Sequence, residues 1–206
     1  MNRHEYYEKL KARARDVRAQ YGLDSPRVLR SHLRGIYRDQ EIRIDPWPHK
    51  LKGLRGAYFN DDLGATVMVA KLPPEPTIFT LAHELKHHLF DCGIALSYCG
   101  LSNETEPIEI GAEIFAAELI FPEEDFVREM NKLGIAKGKC TSSSLVQLKH
   151  ETQTTLSYMG LVKRAEFLGF AFSGSLPKTG WKKIEEQLYG EPFYKQLLRR
   201  RRAKLG

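Results

Sequence analysis

In an α-helix, residues four apart lie one above the other on a single face. The run His83-Glu84-Leu85-Lys86-His87 puts two imidazoles in that relation. Their ring nitrogens then converge on one point, and neutral imidazole is a good ligand for Zn²⁺. Three protein ligands and one open position make a catalytic rather than a structural zinc site. Glu84 lies beside the pair, where it can act as base toward an attacking water. At the chain's own His and Glu frequencies such a motif is expected by chance on the order of 0.02 times, so it is read as a metal motif. Its surroundings predict a helix. Ile78, Leu81, Ala82, Leu85 and Leu89 form an apolar stripe with the His-Glu-His set mostly off it. Pro76 precedes the helix, Thr77 is its expected cap, and Gly93 its expected stop.

Two histidines leave such a site one ligand short. A second helix is expected from near Thr105-Glu-Pro107, stopped at Phe121-Pro122, with Glu106, Glu109 and Glu113 on one face. Glu109 suits the ligand role, and Glu113 that of the partner orienting a ligand histidine. Glu113 or Glu106 as the ligand is the alternative. Gly111, Ala112 and Ala116 are small enough to let this helix approach the motif helix closely. Tyr58, His88, Tyr98 and His150 are candidate donors to an oxyanion.

Around these two helices the chain reads as α+β. An amphipathic helix is expected over residues 4–21, and a second from Ser25-Pro26 to about Gly35. Glu41-Ile-Arg-Ile44 alternates like a strand halted by Asp45-Pro-Trp-Pro48. Gly56–Phe59 and Ala65–Ala70 flank the turn-rich Asn60-Asp-Asp-Leu-Gly64, a hairpin whose edge can pair with an extended peptide. Residues 94–104 form a looser stretch expected to reach around the site. Glu123–Met130, Leu145–Lys149 and Ser157–Leu168 read as helices, the last two as a hairpin of helices. In the tail, Trp181, Ile184, Leu188, Phe193 and Leu197 make an apolar stripe before the basic run Arg199–Lys204. The expected organisation is N-terminal helices packed on the core over 1–44, a metallopeptidase core over 45–130, a helical hairpin segment over 131–172 and a basic tail over 173–206.

Charge and cysteines bound the setting. The net charge of +6 is uneven: residues 1–43 and 195–206 are basic, and the middle is acidic. The basic ends are read as solvated faces, without direct nucleic-acid binding. No apolar run approaches a membrane span, so a cytoplasmic protein is expected. Cys92, Cys99 and Cys140 are odd in number and match no zinc spacing, as free thiols do.

Taken together, Leu54-Arg-Gly-Ala-Tyr-Phe59, Phe79 to His88, and Glu109 to Pro122 resemble the ImmA/IrrE family of zinc metallopeptidases, with weaker similarity over Leu156–Leu168. The resemblance implies a minimal thermolysin-like zincin core, a small antiparallel sheet packed on the active-site helices, and a helical C-terminal segment. It implies Zn²⁺ held by His83, His87 and Glu109, the glutamate standing six residues before Phe115-Ala116. It also implies a regulatory endopeptidase from a mobile-element or stress-response circuit that cleaves a helix-turn-helix transcriptional repressor. The chain departs from the family's pattern at Glu113, where Asn or Asp is usual, at Gly111, where an acid is common, and at Lys86, where Gly is frequent. A second function class, a DNA- or repressor-binding regulator with a structural metal, rests on the basic ends and the helical pair near 145–168.

Overall fold

A computed structural model describes residues 2–47, 53–91, 96–100, 106–177, 179–192 and 195–196, the backbone alone for 96–100. Gly93, Cys92, most of the stretch from Ile94 to Glu104, Phe193 and the tail from Leu197 lie outside them, as do the side chains of Tyr98 and Cys99. The described residues form helices α1 (Arg3–Gln20), α2 (Arg30–Asp39), α3 (Pro74–Phe90), α4 (Pro107–Ile120), α5 (Glu123–Lys132), α6 (Ser142–Thr152), α7 (Tyr158–Phe167) and α8 (Trp181–Tyr189). The strands are β1 (Arg43–Pro46), β2 (Leu54–Asp61), β3 (Gly64–Val69) and β4 (Leu96–Gly100). The fold is α+β. The chain divides into two compact units: the first runs to Phe126 and includes Thr152–Ser157, and the second takes Val127–Glu151 and resumes at Tyr158.

In the first unit the strands form one sheet in the order β1-β3-β2-β4. The β2–β3 pair is antiparallel, as expected. Leu96–Gly100, read from sequence as part of a looser stretch, is instead a strand paired antiparallel with β2. Strand β1 runs parallel to β3, so the sheet is mixed. The β2–β3 turn is tighter than the sequence suggested. Asp61 pairs with Gly64, the Asp61 carboxylate accepts from the Leu63 N–H at 2.9 Å, and Gly64 takes φ +94°. Strand β1 keeps Asp45 and Pro46, which read as stop signals. It lies at the sheet edge, where a proline's missing N–H costs no ladder bond. Ala65, Val67 and Val69 alternate inward along β3, facing Tyr58 and Gly56 across the pair.

Two helix starts differ from their sequence signals for identifiable reasons. Helix α2 begins at Arg30 rather than at Pro26 and runs past Gly35 to Asp39. The Pro26 carbonyl accepts from the Thr155 N–H at 3.3 Å and the Val28 carbonyl from Thr155 Oγ1 at 2.8 Å. That tie, over a hundred residues along the chain, holds residues 26–28 out of a helix. Helix α3 begins at Pro74, so Pro74 and Pro76 sit in its first turn, where a missing N–H goes unneeded. Thr77 is therefore inside the helix, its hydroxyl donating back to the Pro73 carbonyl at 2.9 Å instead of capping.

Helix α4 packs between α1 and α3. A Cβ at Gly111 would come within 2.8 Å of Leu10 Cδ1 and 3.1 Å of Tyr6, so this glycine admits α1, not the motif helix assigned to it from sequence. Arg18 of α1 closes the other end of α4. Its buried guanidinium donates to the carbonyls of Leu119 at 2.7 Å and Ile120 at 3.3 Å, groups a helix C-terminus leaves without intrahelical partners. Arg18→Leu should lower stability by about 2 kcal/mol, the scale of hydrogen bonds to a charged group. Urea unfolding of the metal-free protein reads this, and an unchanged midpoint would refute the capping role.

In the second unit, Thr141 and Ser144 form reciprocal side-chain-to-backbone bonds that start α6 at Ser142, three residues before its first apolar position. Tyr158 stacks on the buried Trp181 at 4.6 Å, which seats α8 against α7. Cys140 is buried, and burial pushes its thiol up to about 11. No helix among the described residues is long and apolar enough to cross a membrane.

Candidate metal centre

Every residue of α3 from Thr80 to His87 is buried, because the helix meets α2, α4 and the sheet. The two histidines point toward α4 and are met there by Glu109. His83 Nε2 lies 3.1 Å from Glu109 Oε2, His87 Nε2 lies 3.6 Å from Glu109 Oε1, and the two Nε2 atoms are 3.4 Å apart. One donor atom from each of the three residues falls within a 4.8 Å group. All three side chains are buried. Among the described residues this is the one cluster of His, Cys, Asp and Glu compact enough for a metal ion. Two nitrogens and a carboxylate oxygen are the donor set of catalytic zinc sites, so the residues present fit such an ion.

The other acidic candidates on α4 have separate places. Glu106 is the exposed N-cap residue of the helix. Glu113 is half-buried and acts on His83 through its charge. A further carboxylate, Asp91 at the C-cap of α3, bonds one of the two motif histidines. Its Oδ2 lies 2.7 Å from His87 Nδ1. As an acceptor it requires the proton on Nδ1, which leaves the Nε2 lone pair facing Glu109 and His83. Asp91 stands four residues after His87, so helical spacing was the signal that could have marked it.

Charge in this pocket is shifted by burial and by neighbours. Burial lowers the proton affinity of His83, only partly offset by its bond to Glu109. Burial alone would raise the Glu109 carboxyl, but the bond and charge of His83, aided by His87 and Lys86, outweigh it and hold it below the usual range. Asp91 follows the same pattern, with His87 and Lys86 overcoming its burial.

Glu84 is different. It is fully buried, and neither carboxylate oxygen has a hydrogen-bond partner among the described residues. Burial, reinforced by the charge of Glu109, pushes its carboxyl well above the ordinary value. Its room comes from β2. A Cβ built on Gly56 would stand 2.7 Å from Glu84 Oε1 and 2.5 Å from Thr80 Cγ2, so the strand presses its bare Cα against the carboxylate. Two residues along the strand, the buried Tyr58 hydroxyl lies 3.2 Å from His88 Nδ1, one helical turn beyond Glu84. Tyr98 falls in β4 opposite Ala57. His150 belongs to the second unit, where its ring stacks on Tyr189 at 3.9 Å.

A small α+β core whose paired helices join two histidines and a glutamate, with a buried acid alongside, defines a zincin-like metallopeptidase core. The family model described as the IrrE N-terminal-like domain, Peptidase M78, matches residues 40–152, and the chain belongs to that family of metallopeptidases. No curated protein matched the chain. Metal content separates the acids of α4: Glu109→Ala should lose the bound ion, whereas Glu113→Ala should keep most of it. Loss from the Glu113 variant alone would transfer the ligand role to that residue.

Proposed function

We propose that the protein is a zinc-dependent endopeptidase in which His83, His87 and Glu109 hold Zn²⁺ and Glu84 is the general base. The observation that carries this reading is the buried Glu84 carboxylate without a hydrogen-bond partner among the described residues, set beside a metal-competent His-His-Glu group. Leaving such a group unsatisfied is costly, which a purely structural metal site would not explain. Bound there, Zn²⁺ supplies Lewis acidity toward the scissile carbonyl and lowers the pKa of water to about 7. Glu84 takes the proton of the attacking water and delivers it to the departing amine. Its raised proton affinity suits a group that must take a proton from water. Asp91 keeps His87 in the tautomer that presents Nε2. Tyr58, bonded to His88 in the same unit, is the proposed donor to the developing oxyanion.

The substrate is a protein segment in extended form, added as a further strand at the β4 edge of the sheet. The resemblance to ImmA/IrrE enzymes supports a helix-turn-helix repressor as the protein that is cut, in the cytoplasm, with consequent effect on transcription. Glu84→Gln should retain zinc and lose hydrolysis, and a chelator should abolish cleavage by the wild type until Zn²⁺ is restored. The assay pairs the purified enzyme with a helix-turn-helix protein encoded beside it. Undiminished cleavage by the Glu84→Gln enzyme would remove the general-base assignment.

A further inference from the structure

Lys86 lies between the catalytic base and the second ligand histidine, yet its side chain is wholly buried. Its ammonium donates to Asp91 Oδ2 at 2.7 Å and to the carbonyl of Ile108 at 3.2 Å. It also stands 5.9 Å from the centre of the Tyr6 ring. The oxygen it grips is the one that accepts from His87 Nδ1. The carbonyl it grips belongs to the residue just before Glu109. One cation thus joins the groups behind two different ligands, on two different helices.

We propose that Lys86 is a positioning residue for the metal centre, a buried tie that sets His87 and Glu109 at the separation and orientation a metal ion requires. This rests on the zinc-site reading above and extends it to a residue that touches neither metal nor substrate. Two donors on Asp91 Oδ2 hold that oxygen as an acceptor, which excludes the His87 tautomer with Nε2 protonated and unable to bind metal. The bond to Ile108 fixes the first turn of α4, from which Glu109 projects toward the histidines. A lysine is a costly way to fill a packed interior, since a buried ammonium must find partners. It is explained when both partners are themselves placed by it.

The test is Zn²⁺ affinity, measured by competition with a chromophoric chelator, which needs no peptide substrate. Lys86→Met, which keeps the length and loses the donors, should weaken binding by about 10–100-fold, the usual cost of disturbing a ligand's supporting partner. Lys86→Arg, which keeps the charge, should recover part of that loss. Leu33→Ala, a core truncation in α2, which supplies none of these bonds, should lower stability while leaving affinity near wild type. If Lys86→Met does not fold, Lys86→Gln, which keeps N–H donors but is neutral and one bond shorter, should show an intermediate loss. Wild-type affinity in the Met or Gln variant, or an equal loss in Leu33→Ala, overturns the proposal. A wild-type protein that takes up no Zn²⁺ overturns the metal site itself, and the tie with it, and is told apart by the control alone.

Discussion

Helix α3 carries its polar side chains into the interior, and most of the surrounding architecture answers that fact. A buried polar group without a partner costs on the order of 1–3 kcal/mol, and a charged one more. His83 and His87 are met by Glu109, and His87 also by Asp91. Lys86 is met by Asp91 and a carbonyl of α4, and the Leu81 carbonyl receives the hydroxyl of the buried Tyr37. Each of these bonds crosses to another element or closes the end of α3, so the same contacts that satisfy the helix also hold the unit together. Among the described residues Glu84 is the exception, and it sits beside the His-His-Glu group. On the proposed function, stability and chemistry are divided along one helix by a single criterion, whether the buried group has a partner among the described residues.

Much of this could be read from the amino-acid order because it depends on local spacing. A spacing of four from His83 to His87 places both on one face, and a second helical run places Glu109 within reach of them. The ends of α4 and the hairpin of β2 and β3 were likewise written in proline, glycine and alternation. What escaped was decided by contacts distant along the chain. Ser25-Pro26 is a sound helix start, yet Thr155 takes the carbonyls that helix would use. Gly111 was visible as a point of close approach, but not which helix would come close. Asp91 went unread, although the C-cap brings its carboxylate back against the preceding turn and onto His87.

Lys86 and Gly56 were the least legible. A lysine amid apolar residues reads as a solvent-facing position, and only the packing of α1, α4 and the C-cap of α3 shows it enclosed. A glycine in a strand reads as a weak point, and only the approach of α3 shows what occupies the space.

That second case has a consequence for how the chain can vary. The hollow above Gly56 is filled by the Glu84 carboxylate, so the two positions form a lock and its keyhole on separate elements. While Glu84 keeps this rotamer, even a methyl group at 56 meets an oxygen inside van der Waals distance. Were the acid at 84 replaced by a smaller residue, that restriction would be eased at Glu84 and would persist at Thr80. Among descendants of this fold, a side chain appearing at the glycine would thus be a mark of a site whose acid has moved or gone, legible on the strand that faces the helix rather than on the helix itself.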